Sequence, residues 1–164
     1  GSSRIGSMSG QNAKQGRLVQ DEEELAAIVR GMRTVAVVGM KGDDRPEESA
    51  VSIPAMLQAR GYRVIPVNPK LATSLGERAW PDLASVPEPF DLVDVFRRPD
   101  AIPGLADQIL ALPPERRPEV VWLQSGIRHD EAAARLAAAG IDVVQDRCLG
   151  VYASRYAPPT AASR

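Results

Sequence analysis

Val35-Ala36-Val37-Val38-Gly39-Met40-Lys41-Gly42 carries four apolar, mostly β-branched residues straight into a glycine turn, and Arg45-Pro46 opens a helix-like segment just beyond. A buried strand, a glycine turn and a helix N-terminus together make a phosphate-binding device. The next apolar run, Tyr62-Arg63-Val64-Ile65-Pro66-Val67, ends in Asn68-Pro69-Lys70. In an NAD-binding unit that strand end offers an Asp or Glu to the ribose hydroxyls. Here it offers an amide and a cation. The pattern points to a nucleotide and away from NAD. The full G-x-G-x-x-G fingerprint is absent, because Gly39 is followed by Gly42 and no third glycine opens the helix.

Outward from this unit, strands alternate with helices. Apolar spacing predicts a helix over 21–32 capped by Asp21, a strand over 34–38, and a helix over 46–60 that Pro54 kinks or splits. Strands follow at 62–67, 92–96, 119–123 and 141–144, and helices at 101–112 and 130–139. Residues 68–90 read as irregular, with a short helical turn at 82–86. Short, continuous, β-branched runs are expected where both faces of a sheet are covered. The expectation is an α/β, three-layer, doubly wound Rossmann-like fold of about five parallel strands in the order 3-2-1-4-5. Residues 1–17 read as a disordered lead or cloning remnant, 18–156 as the domain and 157–164 as a mobile tail.

The 164 residues are 44% hydrophobic, enough for one domain with a real core, and 20 basic against 21 acidic residues leave a net charge of −1. That balance argues against nucleic-acid binding. Cys148 is the sole cysteine and His129 the sole histidine, so neither a disulfide within the chain nor a Cys/His metal site can form. This usage fits a reducing, cytoplasmic setting. No apolar run approaches the ~18 residues of a membrane span.

In a doubly wound sheet, ligands sit beyond the carboxyl ends of the strands. Those ends carry Gly39, Met40, Lys41 and then Arg45; Asn68, Pro69 and Lys70; Phe96, Arg97, Arg98 and Pro99; Gln124, Ser125, Gly126 and Ile127; and Asp146, Arg147 and Cys148. A loop cation alone is ordinarily solvated. Cations, glycines and amides at consecutive strand ends make a rim suited to several phosphate charges, with Phe96 or Pro99 available to an adenine ring. His129 begins a helix without an evident partner, and Asp91 and Asp94 flank one strand without forming a catalytic pair on sequence grounds. No catalytic residue is assigned.

Taken together, Val35–Lys41, Arg45-Pro46, Gly61–Lys70, Leu75–Trp80, Asp91–Pro99, Val121–Ile127 and Val144–Leu149 resemble the small stand-alone CoA-binding proteins. These are single Rossmann-like domains similar to the CoA-binding domain of the succinyl-CoA synthetase α subunit. The resemblance implies a site for CoA or acyl-CoA. Gly39, Met40, Lys41 and Arg45 would lie by the pyrophosphate, Asn68, Pro69 and Lys70 at the second strand end, Phe96, Arg97 and Arg98 near the adenosine, and Gln124, Gly126 and Ile127 toward the pantetheine. Two departures stand out: Met40 where the family has a small residue, and Val151–Arg155 where it carries an acidic residue and a histidine. No counterpart of the synthetase's phosphorylated histidine is present. The implied function is non-catalytic or regulatory CoA binding, with a protein partner or a homo-oligomer possible. The alternatives are an NADP-dependent oxidoreductase using Lys70 or Arg97 for the 2′-phosphate, and a subunit or scaffold of a larger acyl-CoA enzyme.

Overall fold

The five long apolar runs form one parallel sheet. In this computed structural model, which describes residues 16–40, 42 and 48–157, it comprises β1 (Thr34–Val38), β2 (Arg63–Val67), β5 (Leu92–Val95), β6 (Val120–Leu123) and β7 (Asp142–Val144). A two-stranded hairpin, β3 (Thr73–Ser74) and β4 (Glu77–Arg78), lies in the β2–β5 connection. The helices are α1 (Glu22–Gly31), α2 (Ser49–Ala59), α3 (Ile102–Ala111), α4 (Asp130–Ala138) and α5 (Leu149–Tyr156). One face of the sheet packs Val93, Val95 and Val121 against Ile102, Ile109 and Leu136 of α3 and α4. The other packs Val35, Val37 and Trp122 against Leu25, Leu57 and Leu149 of α1, α2 and α5. The three-layer, doubly wound class is the one expected.

The strand order is not. Along the sheet it runs β2-β1-β5-β6-β7, or 2-1-3-4-5 counted over its five strands, so the second strand is an edge where the order 3-2-1-4-5 had placed it inside. Pro66 supplies a physical reason, since proline cannot donate to a ladder and is confined to edge strands. Its carbonyl accepts from the Trp80 N–H on the outer side, so the ring nitrogen faces that edge and costs β1 no bond. On the other flank of β1, the Asp91 carboxylate accepts from both the Arg33 and Thr34 N–H groups at 2.9 Å, and the Phe96 N–H donates to Val38 at 2.8 Å. These bonds clamp β5 to β1 at both ends. Asp91 is therefore a strand anchor.

The structure adds the β3–β4 hairpin, α5 and a 3-10 turn at Pro114–Arg116, which the sequence reading did not contain. Conversely, α2 runs unbroken through the buried Pro54, which was expected to kink or split it. Arg17, read as the end of the lead, pairs with the far edge of the sheet: the Val143 N–H donates to Arg17 and the Val19 N–H to Val143, both at 2.8 Å, while the Gly16 N–H donates to the Ala137 carbonyl of α4 at 3.0 Å. Residues 1–15, 41, 43–47 and 158–164 lie outside the described residues.

Candidate functional site

The strand order reverses between β1 and β5, whose chains leave the sheet on opposite sides, and a crevice opens there beyond the carboxyl ends. Gly39 sits at its base with φ +85°. A Cβ at this position would lie 2.5 Å from the Phe96 carbonyl oxygen and 3.0 Å from Arg97 Cδ, so only glycine lets the two strand ends approach this closely. Met40 turns inward and is completely buried in the core with Val37, Leu57 and Trp122. Its large side chain does not crowd the turn, and what it leaves to the crevice is backbone.

Asn68 is occupied by its own surroundings. Its Nδ2 donates to the Met40 carbonyl at 2.8 Å, and its Oδ1 accepts from the Lys70 N–H at 2.8 Å. The amide thus ties the loop after β1 to the loop after β2, a job that needs a donor and an acceptor on one short side chain. An Asp there would lose the donor. Pro69 lines a cleft of about 330 Å³ with Val38, Val67, Asp82 and Arg97, and Lys70 is exposed.

Across Arg97 lies a larger cleft, of about 440 Å³. Phe96, Arg97, Arg98 and Pro99 after β5 form one wall, Gln124, Ser125 and Ile127 after β6 a second, and Cys148 borders it. Glu48, Ser49, Ala50 and Ile53 from the start of α2 complete it. Those α2 residues were missed by the sequence reading, because a packed helix shows no site signature. Arg97 and Arg98 are exposed, and neither is ion-paired among the described residues. Several other arginines are engaged: Arg63 with Glu77 and Glu88, Arg135 with Asp107, and Arg155 with Glu22.

The loop after β6 is locked from beneath. Gly126 takes φ +84°, and its N–H donates to Asp146 Oδ1 at 2.6 Å. The Ile127 carbonyl accepts from the Asp146 N–H at 3.1 Å. Gln124 is buried and donates to Asp94 Oδ1 at 2.5 Å while accepting from the Leu149 N–H at the head of α5 at 3.3 Å. Asp94 is fully buried, and its Oδ2 has no partner among the described residues. Burial pushes this carboxyl up to about 7, against the opposing hydrogen bonds from Gln124 and the Val95 backbone. It lies under the cleft and is not paired with Asp91. His129 is a helix cap whose Nδ1 accepts from the Ala132 N–H at 3.1 Å. The structure thus brings Gly39, Asn68, Pro69, Phe96, Arg97, Arg98, Gln124, Gly126 and Ile127 to one end of the sheet, whereas Lys41 and Arg45 lie outside the described residues.

Residues 33–154 match the family model described as "CoA binding domain". The chain is 35% identical over 128 residues to the protein YneT of Bacillus subtilis (strain 168), covering 78% of this chain and 90% of that one. Among solved structures it is similar to cell-free ID.343 from Thermus thermophilus, with 41% identity and a TM-score of 0.75 over 84% of this chain and 99% of that one. The fold also recurs in the dinucleotide-forming acetyl-coenzyme A synthetase 1 of Ca. Korarchaeum cryptofilum, with 20% identity and a TM-score of 0.60 over 73% of this chain and 26% of that one. Among the described residues no helix is long and apolar enough to cross a membrane, and no cluster of His, Cys, Asp and Glu suits a metal ion.

Proposed function

The chain belongs to the CoA binding domain family, and from that premise we propose that it binds CoA in the crevice around Arg97 as a non-catalytic or regulatory protein. One observation carries the reading: two adjacent guanidiniums, Arg97 and Arg98, stand without ion-pair partners among the described residues at the mouth of a cleft with an apolar wall. CoA presents a diphosphate, a 3′-phosphate, an adenine and a long pantetheine arm. The guanidiniums suit the phosphates, Phe96 and Pro99 suit the base, and the channel past Gln124 and Ile127 suits the arm. Gly39 and Asn68 act as positioning residues, holding the loops from which Lys41, Arg45 and Lys70 would reach phosphate.

The non-catalytic part of the reading rests on what lines the cleft. Glu48 and Cys148 are its acid–base candidates among the described residues, while His129 is committed to capping α4. A protein of this kind reports or sequesters its ligand, in a soluble, cytoplasmic setting. The domain would span 18–156, with Gly16 attached to it through α4 and Arg17 through β7.

Isothermal titration of the ligand-stripped protein with CoA, dephospho-CoA, ADP and NADP tests the proposal. Micromolar or tighter CoA binding, with ADP weaker and NADP silent, is expected. NADP binding as tight as CoA would overturn it in favour of a pyridine-nucleotide protein. An absence of binding to all four would point to a scaffold with a vestigial site.

A further inference from the structure

A second groove lies beside the proposed CoA cleft, between α2 and α5. Ile53 and Cys148 line both, so the two spaces adjoin at that pair. Beyond them the groove, of about 610 Å³, continues over Met56, Gly150 and Val151. Gly150 lets α2 and α5 approach closely beside it: a Cβ there would lie 3.1 Å from Ile53 and 3.3 Å from Met56, so a side chain would press on both. Val151 is 47% exposed, one of two large aliphatic side chains left open among the described residues. Arg155, the one cation among the described residues of the groove, is engaged with Glu22 at 3.4 Å and with the Tyr156 ring at 5.9 Å. The lining is therefore mostly apolar, with Ser52 and Ser154 as its neutral polar members and its described cation ion-paired.

We propose that this groove takes the unbranched acyl chain of an acyl-CoA, and so that the ligand is the thioester in preference to free CoA. This rests on the CoA reading above. With the phosphates at Arg97 and Arg98 and the arm descending past Gln124, the sulfur end arrives at Ile53 and Cys148, where the groove begins. An occupant entering there is covalently continuous with the arm and, beyond its thioester carbonyl, aliphatic, which matches the mostly apolar wall it meets. Each methylene buried should tighten binding about fourfold, until the groove is filled.

The test is titration of the wild type and of Val151→Asp with CoA, acetyl-CoA, butyryl-CoA, hexanoyl-CoA and octanoyl-CoA. An Asp in the first turn of α5 suits the helix N-terminus, so the variant should fold. The wild type is expected to tighten by roughly 15-fold per two carbons until the groove is filled, and V151D to bind CoA as the wild type does while losing that gain. Equal wild-type affinity for CoA and every acyl-CoA would overturn the acyl groove and leave the CoA site standing. A chain-length gain that V151D retains would move the acyl chain elsewhere and overturn the placement. If neither CoA nor any acyl-CoA binds, the CoA reading itself falls. A wild-type dimer in sedimentation that V151D dissociates, with flat chain-length dependence, would assign the groove to a second copy instead.

Discussion

Gln124 holds Asp94: its side-chain amide donates to the buried carboxylate at 2.5 Å from the neighbouring strand. Oδ2 has no described partner, so the ionised form is poorly compensated. The folded-state pKa of about 7 lies above the ordinary 3.8. Between these values the folded protein holds a proton that the unfolded chain has released. Stability therefore falls as pH rises through that window and is flat above it. Asp94→Asn removes the titration. The difference in unfolding free energy between the two proteins is expected to move by on the order of 4 kcal/mol from pH 4 to pH 8, in favour of the variant at high pH. Urea melts at four pH values measure it, and a constant difference would show that Asp94 does not titrate in this range.

Gly39 and Gly126 share a positive φ for different reasons, and alanine separates them. At Gly126 a Cβ meets nothing within 4 Å, so only the backbone strain of roughly 1–2 kcal/mol should appear. At Gly39 the same strain is joined by a clash with the Phe96 carbonyl. G39A should lose more thermal stability than G126A and should also weaken CoA, because the strand ends that carry Arg97 must part. Equal losses in the two variants would contradict the close-approach argument.

Arg97→Ala and Arg98→Ala are each expected to weaken CoA by about 1.5–3 kcal/mol, as for hydrogen bonds to charged groups, with thermal stability preserved. Whichever arginine meets the 3′-phosphate will cost dephospho-CoA less. Lys70→Ala belongs in the same series. Unchanged CoA affinity in all three variants would remove the phosphates from this rim.

Asn68→Asp keeps the acceptor for the Lys70 N–H but sets a carboxylate oxygen against the Met40 carbonyl in place of a donor. A loss of about 1–3 kcal/mol in stability is expected, without any gain of NAD binding, although the change installs the acid that NAD sites use. NAD binding by N68D would mean that one side chain decides the nucleotide. Thermal melts and NAD titration read both outcomes.

The strands were legible because each is a short β-branched run with a break after it, and Arg97 and Arg98 were legible because charges directly after a buried strand have one place to go. The strand order was not read, although Pro66 contained it, since only an edge accommodates its missing N–H. The hairpin was hidden because Leu75, at φ +54°, and Gly76 form its turn where Asn-Gly would be the recognisable pair. The last helix gave no start signal: Cys148 caps it without a side-chain bond, and Gly150 weakens its first turn, although Leu149, Tyr152, Ala153 and Tyr156 keep the helical spacing. The inward turn of Met40 and the partnership of Asp94 with Gln124 depend on register between distant strands. The groove over Ile53 and Val151 depends on two helices far apart in sequence.

The bonds that Arg17 and Val19 make along β7, and those that Trp80 makes along β2, have a consequence for assembly. Each outermost strand of the sheet is already paired with an irregular stretch of its own chain, and Pro66 withholds a donor on one of those sides. The lateral hydrogen bonds through which β-proteins stack into continuous ribbons are used up internally there. Self-association through helix surfaces would leave those bonds intact, and charge and side-chain substitutions there can tune it without disturbing the sheet.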